Sequence, residues 1–175
     1  MDEQQCIFCH ISAGRVAGKK VYEDDLVVAV LDINPANPGH VLLVPRKHVM
    51  ILPQVEDDVL AHMGMVAKAL SMVMLKSLKA QGVSVFIANG VVAGQRAPHF
   101  LMHIIPRVEN DGVGLVLPEL QIVKDEYQKL HGVMKSVMDK VFGLAEGAPV
   151  SAYPKQAKQE TNSDLDELSR LLLGK

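Results

Sequence analysis

The stretch from His99 to Ile105 constrains the fold most. As a β-strand it alternates between two faces. His99, Leu101, His103 and Ile105 fall on one, and Phe100, Met102 and Ile104 on the other. The second face is wholly apolar, so it needs a cover, and a helix is the expected one. That helix is legible upstream, from about residue 56 to 80. Val59, Met63, Val66, Leu70, Val73 and Ser77 recur there at alternating steps of four and three, which marks one helix face. Glu56, Asp57 and Asp58 stand at its start and Lys76 and Lys79 at its end, as the helix dipole prefers. Its methionines could form a partner surface, but filling a core is their commoner use.

Further strands are expected around this pair. Val21-Tyr22 and Leu26 to Leu31 flank the turn Glu23-Asp24-Asp25. Asn34-Pro35-Ala36-Asn37-Pro38-Gly39 is dense in turn formers and reads as a loop. His40 to Val44 follows as a strand stopped by Pro45, and Val83 to Ala88 as another. Pro106 is expected to end the strand that begins at His99. A last helix, from about Asp125 to Phe142, carries Tyr127, Leu130, Met134, Val137 and Val141 as an expected buried stripe.

Composition changes near Gly143. We therefore expect one domain over 1–143, a linker over 144–162 and a short amphipathic helix over 163–175. Ser163 is a candidate N-cap for that helix, which must dock on the body, a second copy or another protein.

The bulk numbers exclude some classes of function. The 175 residues hold 49% apolar and 22% charged side chains, as in ordinary globular proteins. A net charge of -2 argues against a general grip on nucleic acid. Trp is absent, which argues against a stacking platform for single strands. The N-terminus reads as free of a secretory signal, and no stretch is expected to span a membrane. A cytoplasmic location is the expectation. The two cysteines, Cys6 and Cys9, are then expected as a reduced pair.

Two groups of residues could carry chemistry. On a strand, His99 and His103 point the same way, with Leu101 between them. They could be core histidines. They could also face an anion, because Asn89-Gly90 and Gly94-Gln95 make a glycine-bearing turn rich in donors just upstream. Arg107 could add charge. The second group begins with Cys6-x-x-Cys9, half of a zinc site, for which His48 and His99 are candidate partners. Two ordinary buried cysteines are the plainer alternative. Cys6-Ile7-Phe8-Cys9-His10 also spells a haem-attachment signature, set aside because such attachment usually follows export.

Several motifs in order now resemble one family. They are Asp32-Ile33-Asn34-Pro35-Ala36-Asn37-Pro38-Gly39-His40, Val44-Pro45-Arg46-Lys47-His48, Gly94-Gln95, and His99 to Arg107. Together they look like the histidine triad (HIT) family, in its zinc-bearing Cys-x-x-Cys branch. The resemblance implies an α+β fold, with a long helix packed on an antiparallel sheet and two copies pairing into one continuous sheet. It implies a site for a nucleoside 5′-phosphate. Asp32 would hold the ribose, Leu31 and Ile33 would lie near the base, and Asn89, Gln95 and His103 would hold the phosphate. It also implies Zn²⁺ on Cys6, Cys9, His48 and His99, with His40 supporting the triad from behind.

One departure is central. The family pattern is His-x-His-x-His, and the resemblance makes the middle histidine the group that attacks the α-phosphate. Here that position is Leu101, which has no lone pair. Arg96 also replaces the small hydroxyl residue usual after the glutamine, which adds charge to the pocket. The leading expectation is a protein that binds a nucleoside monophosphate or its conjugate without the histidine-nucleophile reaction. A nucleotide hydrolase or nucleotidyltransferase working by another route, with His103 as the candidate catalytic group, is the second. A dimeric interaction scaffold is the third.

Overall fold

The computed structural model describes residues 3–114 and 117–144. The chain divides into two compact units, Met1–Gly114 and Leu115–Lys175. The first holds five antiparallel strands: β1 (Lys20–Glu23), β2 (Val27–Leu31), β3 (Val41–Pro45), β4 (Gly82–Phe86) and β5 (Met102–Arg107). They lie in the order β1-β2-β3-β5-β4. Helix α1 (Ile7–Ser12) precedes the sheet, and α2 (Asp57–Ser77) lies between β3 and β4. This is the α+β architecture expected from the sequence.

Helix α2 covers one face of the sheet. Val59, Met63, Val66, Ala67 and Met74 are buried with Val27, Ala29, Val41, Leu43, Phe100, Met102 and Ile104. The apolar alternation of residues 100, 102 and 104 is thus explained by the helix that covers it. The opposite face carries Val28, Val30, Leu42 and Val44, against which Phe8, Ile11 and Leu101 pack. Apolar residues on both faces account for the unbroken hydrophobic runs of β2 and β3. Arg46 pins the end of α1 to this body, its guanidinium donating to the Ser12 carbonyl at 2.7 Å and to Glu23 at 3.0 Å.

Some expectations need correction. Residues 99 to 101 are not strand, because the Phe100 N–H turns away to donate to the Val49 carbonyl at 2.7 Å. At the other end the strand runs through Pro106 to Arg107. Past Ile104 its ladder continues only with β4, so the missing N–H of proline is tolerated. Helix α2, at 21 residues, is long and apolar enough to cross a membrane by composition. Its packing on the sheet gives that composition another cause.

In the second unit, α3 (Lys124–Phe142) forms where expected. It ends on Gly143 at φ 62°, and the Leu144 N–H caps the Asp139 carbonyl at 2.8 Å. Its stripe is not buried. Tyr127, Leu130, Met134, Val137 and Val141 are all exposed. The expected linker and C-terminal helix lie outside the described residues.

Candidate functional site

Two clusters of ionisable side chains flank the start of β5. In the first, Cys6 and Cys9 at α1 meet His48, from the loop after β3, and His99. The Cys6 thiol lies 3.3 Å from His99 Nδ1, and Cys9 lies 3.2 Å from His48 Nδ1 and 3.6 Å from His99 Nδ1. One donor atom from each of the four residues lies within 4.8 Å of the others. His99 Nε2 donates to the Pro45 carbonyl at 3.0 Å, which leaves the Nδ1 lone pair facing the thiols. His48 Nε2 is buried without a partner among the described residues. Burial, with Cys6 beside it, pushes the Cys9 thiol up to about 12, and burial lowers His99 from its ordinary value.

The second cluster is a line. His40 Nε2 lies 3.1 Å from His103 Nδ1, and on the far edge of the same ring His40 Nδ1 lies 3.4 Å from Asp32. The Ala36 N–H donates to His40 Nδ1 at 3.2 Å. Burial lowers the pKa of both histidines, and for His103 the neighbouring His40 lowers it further. The Phe86 ring stands 5.8 Å from that of His103, its partner across the β4–β5 ladder. His99 and His103 therefore do not share one site. His99 belongs to the cysteines and His103 to His40, because the strand begins only after His99.

The turn upstream is built as its glycines require. Gly90 and Gly94 sit at φ 89° and 93°, where a side chain would strain the backbone, and Val91–Ala93 form a single 3-10 turn between them. Asn89 accepts the Leu52 N–H at 2.9 Å. The Gln95 amide oxygen accepts the Gly90 N–H at 2.7 Å, and its nitrogen donates to the carbonyls of Met50 at 2.7 Å and Ala97 at 2.9 Å. Arg96, Leu31 and Ile33 are exposed. Arg107 is not available to an anion. It donates to Asp111 at 2.7 and 2.9 Å and to Ser84 at 3.0 Å, and Asn37 also binds Asp111 at 2.8 Å.

Sequence reasoning did not find the Pro45 carbonyl, the Ala36 N–H or Phe86. The backbone groups carry no residue signal. Phe86 becomes a neighbour of His103 only through the β4–β5 register.

Comparison with known proteins gives the family of the chain. The HIT domain family matches residues 13–110, and the chain belongs to that family. It is 46% identical to an uncharacterised HIT-like protein of Methanocaldococcus jannaschii over 107 residues, 61% of this chain and 82% of the relative. It is 33% identical to an adenosine 5′-monophosphoramidase of Candida albicans over 141 residues, 78% of this chain and 93% of the relative. Among solved structures, it resembles a histidine triad nucleotide-binding protein from Candida albicans with a TM-score of 0.71 and 33% identity, covering 78% of this chain and 99% of the other. A Zn-bound histidine triad family protein from Mycobacterium smegmatis matches with a TM-score of 0.59 and 25% identity, over 79% and 99% of the two chains.

Proposed function

We propose that this protein binds a nucleoside 5′-phosphate, or a conjugate of one, without passing through a histidine–nucleotide intermediate. The observation that carries this is the place of Leu101. It packs on the apolar face formed by Val28, Val30, Leu42 and Val44, and it offers no lone pair at the position where the family pattern sets its middle histidine. Around it, Asp32 would hold the ribose, Leu31 and Ile33 would border the base, and His103, Arg96 and the turn from Asn89 to Gln95 would meet the phosphate. The Candida albicans relatives, one a monophosphoramidase and one a nucleotide-binding protein, support a nucleotide as the ligand.

The hydrogen bonds of His40 support binding over attack. The Ala36 N–H can only donate, so His40 Nδ1 accepts, and the neutral ring keeps its proton on Nε2. That proton is shared with His103 Nδ1, so neutral His103 carries its own proton on Nε2. An N–H suits a phosphate oxygen and cannot attack phosphorus. Attack on phosphorus by His103 itself would need the His40 proton moved to Nδ1, toward Asp32.

Zn²⁺ would sit on Cys6, Cys9, His48 and His99. Two sulfur and two nitrogen donors that converge within 4.8 Å fit a closed tetrahedral site. The zinc-bound relative from Mycobacterium smegmatis supports that choice of metal. Bound there, the ion would tie α1 to the sheet and leave no position open for substrate. The domain would extend over 1–143, and a homodimer would use the open edge of β4, where Val85 and Phe86 are exposed.

Calorimetric titration with AMP tests the site. We expect binding that Asp32→Ala weakens about tenfold, the scale of one hydrogen bond to a charged group. Equal affinity for AMP and for ribose 5-phosphate would contradict a base slot.

A further inference from the structure

We propose that Gln95 is a positioning residue that couples the cysteine–histidine cluster to the Gly90–Gly94 turn, so that zinc in the cluster tightens phosphate binding at the turn. This rests on the nucleotide and zinc assignments above, and it gives Gln95 a different part from direct contact with phosphate.

The amide of Gln95 is closed. A glutamine nitrogen has two hydrogens, and here they go to the carbonyls of Met50 and Ala97, at 2.7 and 2.9 Å. The amide oxygen meanwhile holds the Gly90 N–H at 2.7 Å. No hydrogen remains on this side chain for a phosphate oxygen.

What the amide touches is informative. Met50 lies two residues after His48, and Ala97 lies two residues before His99. Both histidines of the metal cluster are thus a short, nearly inextensible length of backbone from a carbonyl that Gln95 grips. The same two segments are joined at two other points. The Phe100 N–H donates to the Val49 carbonyl at 2.7 Å, and the Leu52 N–H donates to Asn89 at 2.9 Å. Gln95 sits between these rungs, and it alone of the three reaches the Gly90 N–H at the head of the turn.

The far end of this strut converges on a point that a cation would occupy. The two rings contact thiols, and His48 Nε2 is buried without a partner among the described residues. A four-coordinate ion would fix both rings against Cys6 and Cys9, and with them the carbonyls of Met50 and Ala97. The Gln95 amide would then be held from two sides, and so would the Gly90 N–H that its oxygen accepts. Coupling of this kind is reciprocal in affinity, so phosphate at the turn must also tighten the hold on the metal.

The test uses the zinc-loaded full chain and its Gln95→Glu variant. That change keeps an acceptor for the Gly90 N–H and removes both donated hydrogens. AMP binding is measured by calorimetry, and zinc release to a chelator is followed with and without AMP. The expected result is roughly tenfold weaker AMP binding in the variant, within the usual range for coupled sites. AMP should also slow zinc release several-fold in the wild type and not in the variant. If AMP slows release equally in both, Gln95 does not carry the coupling. A combined Cys9→Ser/Gln95→Glu protein should bind AMP no more weakly than Cys9→Ser alone, whereas multiplied losses would make Gln95 a direct phosphate contact. Should the wild type bind no AMP, nucleotide binding itself fails. Hydrogen exchange at the Gly90 amide then decides the strut: stripping zinc should speed it, and unchanged protection would overturn the proposal.

Discussion

The two clusters beside β5 are made of nearly the same materials and are arranged in opposite ways. Cys6, Cys9, His48 and His99 converge, each offering one atom to a common point. Asp32, His40 and His103 are strung in a line, with Asp32 and His103 on opposite edges of the His40 ring. Convergent donors suit a cation that replaces every proton between them. A line of donors and acceptors suits a fixed proton order, here set by the Ala36 N–H. Imidazoles serve both, so residue type alone does not separate a metal site from a ligand site. Which edge of each ring is engaged, and by what, does.

The largest expected effect falls on the convergent cluster. Cys9→Ser should lower unfolding stability by a few kcal/mol, because metal binding and folding are one equilibrium in such a site. Urea denaturation of zinc-loaded proteins checks this, and a variant that unfolds like the parent would remove the structural role. Metal analysis of chelator-free protein should give near one zinc per chain. A second equivalent lost in His103→Ala would mean that the line also converges on a cation. Next in size, Asp32→Ala should weaken ribonucleotides about tenfold and leave 2′-deoxyribonucleotides nearly unchanged. Equal losses would take Asp32 out of the ribose site.

The smallest effect is on pH dependence. The folded pKa values of His40 and His103 lie below the ordinary 6.5, so the unfolded chain takes up protons first as pH falls. Stability should therefore decline as pH drops from 6.5 toward the folded values, and it should not change from this source above 6.5. His40→Gln should flatten that decline in urea midpoints. A slope unchanged by the substitution would place the acid sensitivity elsewhere.

Much of the first unit was legible because it follows periodicity. The apolar alternation at 100, 102 and 104 and the helix stripe from Val59 predicted each other, and the structure packs them together. Cys6 and Cys9 announced themselves by spacing, and His48 followed by position. The split between His99 and His103 was legible from the cysteine spacing and the family resemblance, but not from the strand alternation, which put both on one face. It depends on one backbone hydrogen bond, Phe100 to Val49, which pulls residues 99 to 101 out of the sheet. Arg107 looked free for an anion because the loop that brings Asp111 to it leaves no periodic trace. For α3 the helix was legible from its stripe, but what covers that stripe was not, since periodicity reports an apolar face and not its partner.

The most direct test of the central claim is turnover of a dinucleoside polyphosphate and an adenosine phosphoramidate by the wild-type protein and by Leu101→His. We expect AMP release from the variant alone, which would mark the pocket as a triad site whose nucleophile is missing and the native protein as a binder. AMP release by the wild type would contradict this and move the chemistry to His103.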